Sequence, residues 1–412
     1  MSASSRNTEW LRAPAIQRLL TVLNGGGEQA RVAGGAVRNT LLGEPIGDVD
    51  VATTLVPEAA AERLRGAGFK VVPTGIDHGT VTAVEGATVV EVTTLREDVA
   101  TDGRHATVAY GRDWRTDAER RDLTMNALYM EADGTVFDPL GCEADVHARR
   151  VVFVGDPDRR IAEDHLRILR FFRFFAWYGQ HRPDGPGLLA CARAKAGIET
   201  LSVERVWSEM RRLLAAPDPA RALLWMRQTG VLGVAMPETE RWGIDAVPSL
   251  IAAETAFDWQ PDPMLRLAAM LPPDPKVVRA LADRLRLANS ERDRLVEWTA
   301  APRPVPSRAE GELARLMYEA TRDGTLDVLR LATARAHVAG DLNEVAAFRR
   351  QLDFAEGWVR PDFPVQGRDL LERGVEPGPQ MGERLKAMHE RWVESGFRLS
   401  REDLLVRASN LG

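Results

Sequence analysis

Gly34-Gly35-Ala36-Val37-Arg38 and Asp48-Val49-Asp50 put a glycine pair, an arginine and two carboxylates into one short segment. Before them, Ala30-Arg31-Val32-Ala33 reads as a short strand. The glycines let the backbone turn tightly and come close to a ligand. Asn39-Thr40-Leu41-Leu42 then continues as a helix start, where free N–H groups favour phosphate. The alternation in Asp48-Val49-Asp50-Val51-Ala52 predicts a strand. Residues i and i+2 of a strand share a face, so Asp48 and Asp50 are expected side by side. Adjacent carboxylates repel, and a hard divalent cation such as Mg²⁺ relieves the repulsion. A phosphate cradle beside a metal site is the minimum equipment for phosphoryl or nucleotidyl transfer. Alone, a glycine pair is a turn and an Asp-x-Asp a solvated strand end. Together in one segment they favour the functional reading.

Three further groups can serve such chemistry. Glu91 lies in the strand-like run Val89-Val90-Glu91-Val92-Thr93. A lone strand carboxylate is usually a solvated edge charge, but here it can be a third acid, as two-metal sites require. In Arg120-Arg121-Asp122-Leu123-Thr124-Met125-Asn126-Ala127-Leu128, Asp122 reads as a helix cap, with Asn126 four residues on along the same face. Arg121 can bind ribose or phosphate there, and a plain charged helix start stands as an equal alternative. The last group runs from Glu163 to Arg173, with Asp164 and Arg167 as i and i+3 neighbours on a helix. An intrahelical ion pair is the plain reading. The sharper one concerns base edges. Cytosine and adenine pair an amino donor with a ring-nitrogen acceptor, which a carboxylate and a guanidinium match. Uracil and guanine reverse that order. Arg170 and Arg173 follow at helical spacing and can reach a triphosphate. From Arg149 to Arg182, eight arginines face four acidic residues, a local basic surface in a chain of net charge −6.

The elements that must hold these groups change character along the chain. Strand-like runs at Val71-Val72, Thr80–Val84, Val89–Thr93 and Thr135–Phe137 alternate with helix-like segments at 10–24, Pro57–Gly66 and Asp122–Met130. That mixture predicts a small α/β or α+β domain. After Pro157 long helical patterns dominate: Ile161–Tyr178, Val203–Ala215, Pro219–Thr229, Pro263–Met270, Pro275–Ala288, Ser290–Thr299, Ala309–Arg322, Leu326–Ala339 and Leu342–Glu356. Proline-rich joints at 217–219, 260–263, 272–275 and 302–306 separate them, and the superstructure is expected to be elongated. Leu95–Glu119, charged and without periodicity, predicts a flexible functional loop. Two cysteines, Cys142 and Cys191, provide neither a disulfide framework nor a zinc site, which points to a reducing cytoplasmic location. Met1–Glu9 lacks the apolar core of a signal peptide, and no apolar run reaches spanning length, so no membrane partner is expected.

Taken together, these blocks resemble the class II tRNA nucleotidyltransferases, the CCA-adding enzymes, and their bacterial poly(A) polymerase relatives. The resemblance covers residues 28–215 by motif and the helical remainder more loosely. It implies a head of polymerase-beta-like type at 1–145, a helical neck with a nucleotide-base template at 146–216, a body at 217–305 and a tRNA-binding tail at 306–412. It assigns Gly35, Arg38, Asp48 and Asp50 to the triphosphate and metals, and Glu91 to the acid before Thr93-Thr94. Arg121 and Asp122 match the ribose contacts, Glu163, Asp164 and Arg167 the base template, and Arg170 and Arg173 further nucleotide-binding arginines. Glu204–Met210 matches the family's last helical motif, which supports the neck. Asn39 stands where the family often has Asp. The implied function is addition of C, C and A to a tRNA 3′ end from CTP and ATP, with Mg²⁺. Thr74–Thr82 looks like the CCA-adding version of that strand and turn, and the loop around Asp102-Gly103-Arg104-His105 is intact. With no His-Asp dipeptide in the chain, the phosphohydrolase domain of some relatives is not expected. Gly367–Leu371 through Pro377-Gly378-Pro379 resembles the tRNA-contacting C-terminal region, with a helix-capping loop as the alternative. A poly(A) polymerase or A-adding enzyme is the nearest rival, and an idle RNA-binding protein on a transferase scaffold the more distant one.

Overall fold

A computed structural model describes residues 8–75, 79–101, 106–239 and 243–408. The chain divides into two compact units, Met1–Pro237 and Glu238–Gly412. That border falls inside the segment expected to be the body.

The first unit is built on a seven-stranded sheet of order β3-β4-β5-β2-β1-β8-β9. Its strands are β1 (Ala30–Ala33), β2 (Val49–Thr53), β3 (Lys70–Gly75), β4 (Thr80–Glu85), β5 (Thr88–Thr94), β8 (Tyr129–Met130) and β9 (Val136–Phe137). Only β2 and β5 run parallel; the other neighbours are antiparallel. Helices α1 (Pro14–Leu23), α2 (Gly35–Leu42) and α3 (Pro57–Gly66) connect or cover the strands. α3 shows why the segment is helical. Pro57 occupies the first turn, Glu58 and Arg63/Arg65 complement the two ends of the dipole, and Pro57, Ala60, Ala61 and Leu64 form the buried stripe.

Three expectations change. Leu95–Glu119 is not an irregular loop. β6 (Arg96–Thr101) and β7 (Ala106–Tyr110) form an antiparallel hairpin, and α4 (Trp114–Glu119) follows. Cross-strand pairing, not alternation, decides such a charged segment. Asp102–His105, named in the expected loop, and Ile76–His78, named in the Thr74–Thr82 motif, lie outside the described residues. Asp122–Met130 is not a helix either. A three-residue 3₁₀ turn at Thr124–Asn126 leads into β8, which pairs with β1. Leu123–Met130 is buried throughout, and a segment buried on every side carries no periodicity that separates strand from helix. Finally, Ile161–Tyr178 is two helices, α6 (Pro157–Glu163) and α7 (Leu166–Tyr178), after the short α5 (Glu143–His147). At the break Asp164 is extended (φ −156°, ψ 109°) and its side chain accepts from the Leu166 N–H at 3.0 Å, competing with continuation of the helix. α8 (Gly185–Ala194), α9 (Val203–Leu214), α10 (Ala220–Gln228) and the short α11 (Val231–Ala235) follow, and α9 packs on α7.

Among the described residues, the second unit is helical throughout. The proline joints at 260–263 and 272–275 are helix starts: Asp262 and Asp274 cap, and Pro263 and Pro275 open the helices Pro263–Ala269 and Pro275–Leu285. Arg266, fully buried, reaches Glu254 of the helix Val247–Phe257 through two hydrogen bonds of 3.1 and 2.5 Å. Gly367–Leu371 is a short helix whose Asp369 caps Gln366 and pairs with Arg401 at 2.7 Å.

Candidate active site

Strand register builds the floor. Asp50 of β2 lies opposite Glu91 of β5 in the parallel pair, while Val51 and Val92 sit opposite each other in the core. Alternation along β5 buries Val90, Val92 and Thr94 and leaves Glu91 exposed. Asp48 precedes the first residue of β2 and is exposed, so it flanks Asp50 from the strand's entrance. Water reaches Asp50, yet the cleft walls crowd it. Its carboxyl is pushed above the usual range by that desolvation and then by Glu91, with Arg121 opposing and Asp48 adding a smaller upward push.

Between β1 and α2 the chain turns at Gly34, whose φ of 65° favours glycine. A Cβ there would also crowd Arg121 Nη1 at 3.2 Å. Gly35 is an ordinary helical residue, so the conformational demand falls on the first glycine of the pair. Arg38 is 6% exposed. It donates to Asn126 Oδ1 at 2.5 Å, to the Tyr178 hydroxyl at 2.8 Å and to Asn39 Oδ1 at 2.9 and 3.1 Å. Arg38 therefore ties α2 to the 3₁₀ turn and α7.

The segment after α4 supplies one wall. Arg121 donates to the Asn126 carbonyl at 3.1 Å and to Asp117 at 3.2 Å. Asp122 accepts from Arg170 of α7 at 2.6 Å and from Asn126 Nδ2 at 3.2 Å. Burial would raise the Asp122 pKa, but Arg170 and these hydrogen bonds hold it below the usual range. The other wall is the α6–α7 junction. Asp164 Oδ2 pairs with Arg205 of α9 at 2.7 Å, and Arg167 donates to Glu163 at 2.6 Å and to the Arg160 carbonyl at 2.9 Å. The Asp164–Arg167 ion pair is thus replaced by two separate pairs, leaving only an Arg167 N–H to Asp164 C=O bond at 3.0 Å. Arg173 turns to Glu209 at 2.5 Å. These walls enclose a cleft of 640 Å³ that Gly35, Arg38, Asp50, Glu91, Arg121, Asp122, Asp164, Arg167 and Arg170 all line. Asp48 and Arg173 are not among its lining residues.

Residues 30–152 match a family described as "Poly A polymerase head domain", and 188–242 one described as "Probable RNA and SrmB- binding site of polymerase A". CCA tRNA nucleotidyltransferase 1, mitochondrial, of Mus musculus is 33% identical over 414 residues, covering 98% of this chain and 92% of its own length. The chain belongs to the class II CCA-adding enzyme and poly(A) polymerase family. The CCA-adding enzyme of Geobacillus kaustophilus is 31% identical over 379 residues, 90% of each chain. A crystal structure of the Bacillus stearothermophilus CCA-adding enzyme in complex with CTP superposes with a TM-score of 0.76 at 28% identity, over 97% of this chain and 98% of that one.

Within this family's cleft, two residues that pair with the site were given no site role by the sequence, although Arg205 lies in the Glu204–Met210 motif. Arg205 is one. The other is Asp117, 1% exposed, which accepts from Arg120 at 2.6 and 2.8 Å, from Arg121 at 3.2 Å and from the Tyr129 hydroxyl at 2.7 Å. The available signal was its spacing, i−3 and i−4 from Arg120 and Arg121. Burial would raise its pKa, yet Arg121 and Arg120 hold it below the usual range. Asp117→Asn is expected to lower unfolding free energy in urea by about 3 kcal/mol, because two arginines lose their buried counter-charge. The depressed folded pKa means the wild-type contribution is present above the unfolded value of about 3.9 and is lost as pH falls below it.

The donor set suits a divalent ion. Among the described residues no group of three His, Cys, Asp or Glu side chains forms a ready-made cage. Mg²⁺ seldom uses one; it binds through one or two carboxylates, waters and substrate phosphates. Asp48 and Asp50 offer hard oxygens of that kind, and the repulsion around Asp50 is what a cation would relieve.

Proposed function

We propose that this chain is a CCA tRNA nucleotidyltransferase, adding C, C and A to the tRNA 3′ end from CTP and ATP without a nucleic-acid template. One observation carries the reading: Asp50 and Glu91 lie side by side on the floor of a cleft whose wall carries Asp164 and Arg167. In this mechanism Gly34, Gly35 and the first turn of α2 receive the triphosphate, with Arg38 fixing that turn. Arg121 and Asp122 orient the ribose, and Arg170 holds Asp122 in place. Asp164 accepts from the base's amino group, and Arg167 donates to its ring nitrogen. The 3′-hydroxyl of the tRNA attacks the α-phosphorus, the new P–O bond forms, and the bond to the β-phosphate breaks to release pyrophosphate. Glu91 helps take up the hydroxyl proton. Mg²⁺ bound at Asp48 and Asp50 would supply Lewis-acid stabilisation of the phosphate charge. The remainder is positioning and charge neutralisation.

The α6–α9 segment serves as the neck and the C-terminal helices as the body and tail holding the tRNA, by shape and phosphate contacts. We place the protein in a reducing cytoplasmic compartment, consistent with two buried free cysteines. Among the described residues no helix is long and apolar enough to cross a membrane.

A tRNA lacking its CCA end, supplied with labelled CTP and then ATP, tests the function. Two cytidylates followed by one adenylate are expected. Incorporation of adenylate alone would make the chain an A-adding enzyme or poly(A) polymerase, and absence of pyrophosphate release would leave a binding protein.

A further inference from the structure

The break that carries Asp164 is held both by the helix that follows it and by α9. Asp164 Oδ1 accepts the Leu166 N–H at 3.0 Å, and Oδ2 accepts Arg205 Nη2 at 2.7 Å from the first turn of α9. On the neighbouring residue, the His165 ring lies so close over Gly197 that a Cβ at 197 would overlap it. Arg167 is meanwhile held by Glu163 and the Arg160 carbonyl. Asp164 and Arg167, proposed to read the nucleotide base, therefore have separate supports, and one of the two bonds that hold the Asp164 carboxylate comes from a different helix.

This arrangement has a consequence for selectivity. Unsupported, a carboxylate pivots about its Cα–Cβ and Cβ–Cγ bonds and presents its oxygens over a wide arc. A pivoting acceptor still attracts donors, but it discriminates poorly between an amino group and a carbonyl at one fixed place. An ionised carboxylate has about four lone-pair sites, so bonds from Leu166 and Arg205 leave capacity for an incoming amino group. The Asp164 and Arg205 side chains are 28% and 41% exposed, and so open an ion pair adds little to global stability. Its value lies in geometry.

We propose that Arg205 is a positioning residue that sets base specificity, holding Asp164 Oδ2 where the exocyclic amino group of C or A must arrive. This rests on Asp164 being the base acceptor. Arg205→Met keeps the length of the chain and removes the donor; Arg205→Lys retains a cation. For Arg205→Met, KM for CTP is expected to rise about tenfold with kcat little changed, and the preference for CTP over UTP to fall about tenfold, the scale of one base contact. The binding constant for CTP without tRNA should weaken in parallel while that for UTP stays level, and Arg205→Lys should restore most of both. Thermal unfolding should stay near wild type. Unchanged CTP-over-UTP preference, or equal losses with both nucleotides alongside a lowered unfolding midpoint, overturns the proposal. Asp164→Asn measured in parallel separates the two levels. If it alters selectivity and Arg205→Met does not, the role of Arg205 fails alone; if neither does, the base-reading role of Asp164 fails with it.

Discussion

Asp48→Ala combined with Asp50→Ala is expected to abolish nucleotide incorporation, by about a thousandfold or more, while tRNA binding survives. The size follows from the chemistry: losing several kcal/mol of charge stabilisation at a phosphoryl centre costs about one factor of ten per 1.4 kcal/mol. The same change should not weaken the fold. Asp50 faces Glu91 across a register pair, and its pKa is raised first by desolvation in the cleft and then by Glu91, with Asp48 adding less. Removing a carboxylate relieves native-state repulsion, so the thermal midpoint is expected to hold or rise. Lost activity with preserved stability marks a residue kept for function at the expense of stability. Filter binding of tRNA and a CTP-incorporation assay on the same preparations measure both halves. Persistent incorporation would show that the metals are held elsewhere.

How far such a site can be read from sequence depends on whether its geometry is local. Val90, Glu91 and Val92 alternate, so the exposed face of β5 was legible. That Asp50 lies opposite Glu91 was not, because it requires the parallel pairing of two strands some forty residues apart. Asn126 and Asp122 touch as expected, at 3.2 Å, but through a 3₁₀ turn instead of a helix. Four-residue spacing survived an error in the element because both geometries bring such residues together. Asp164 illustrates the opposite case. The helical pattern predicts a single helix through it, yet its side chain accepts from the first N–H of the next helix and from Arg205, 41 residues away.

The arginines near the site make a related point. Sequence spacing counts them but does not say which remain available to a ligand. Arg38, Arg121, Arg170 and Arg173 each have a protein partner at 3.2 Å or less. The pairs of Arg38, Arg121 and Arg170 fix side chains that line the cleft. Asp122 and Glu209 hold Arg170 and Arg173 in ion pairs of 2.6 and 2.5 Å. A single carboxylate in that network supports more than its nearest contact, as Asp117 does with three partners from α4 and its following segments.

Selection among nucleotides gives the second large effect. Asp164 and Arg167 line the cleft together, each fixed by a partner that is not the other. Asp164→Asn exchanges an acceptor-only group for an amide that also donates, so it can satisfy the carbonyl of uracil or guanine. The ratio of CTP to UTP incorporation on a tRNA lacking CCA is expected to fall about ten- to a hundredfold, as 1–3 kcal/mol of discrimination per base contact implies. On a tRNA ending in CC, the ratio of ATP to GTP should fall in the same direction, because one edge pattern serves both bases. Replacing Arg167 with Ala should cut CTP and ATP use without raising UTP use, since it deletes a donor and adds none. The asymmetry between the two substitutions is what separates base reading from general damage to the α6–α7 junction. If both variants lose all four nucleotides equally, the junction supports the fold and the base is read somewhere else.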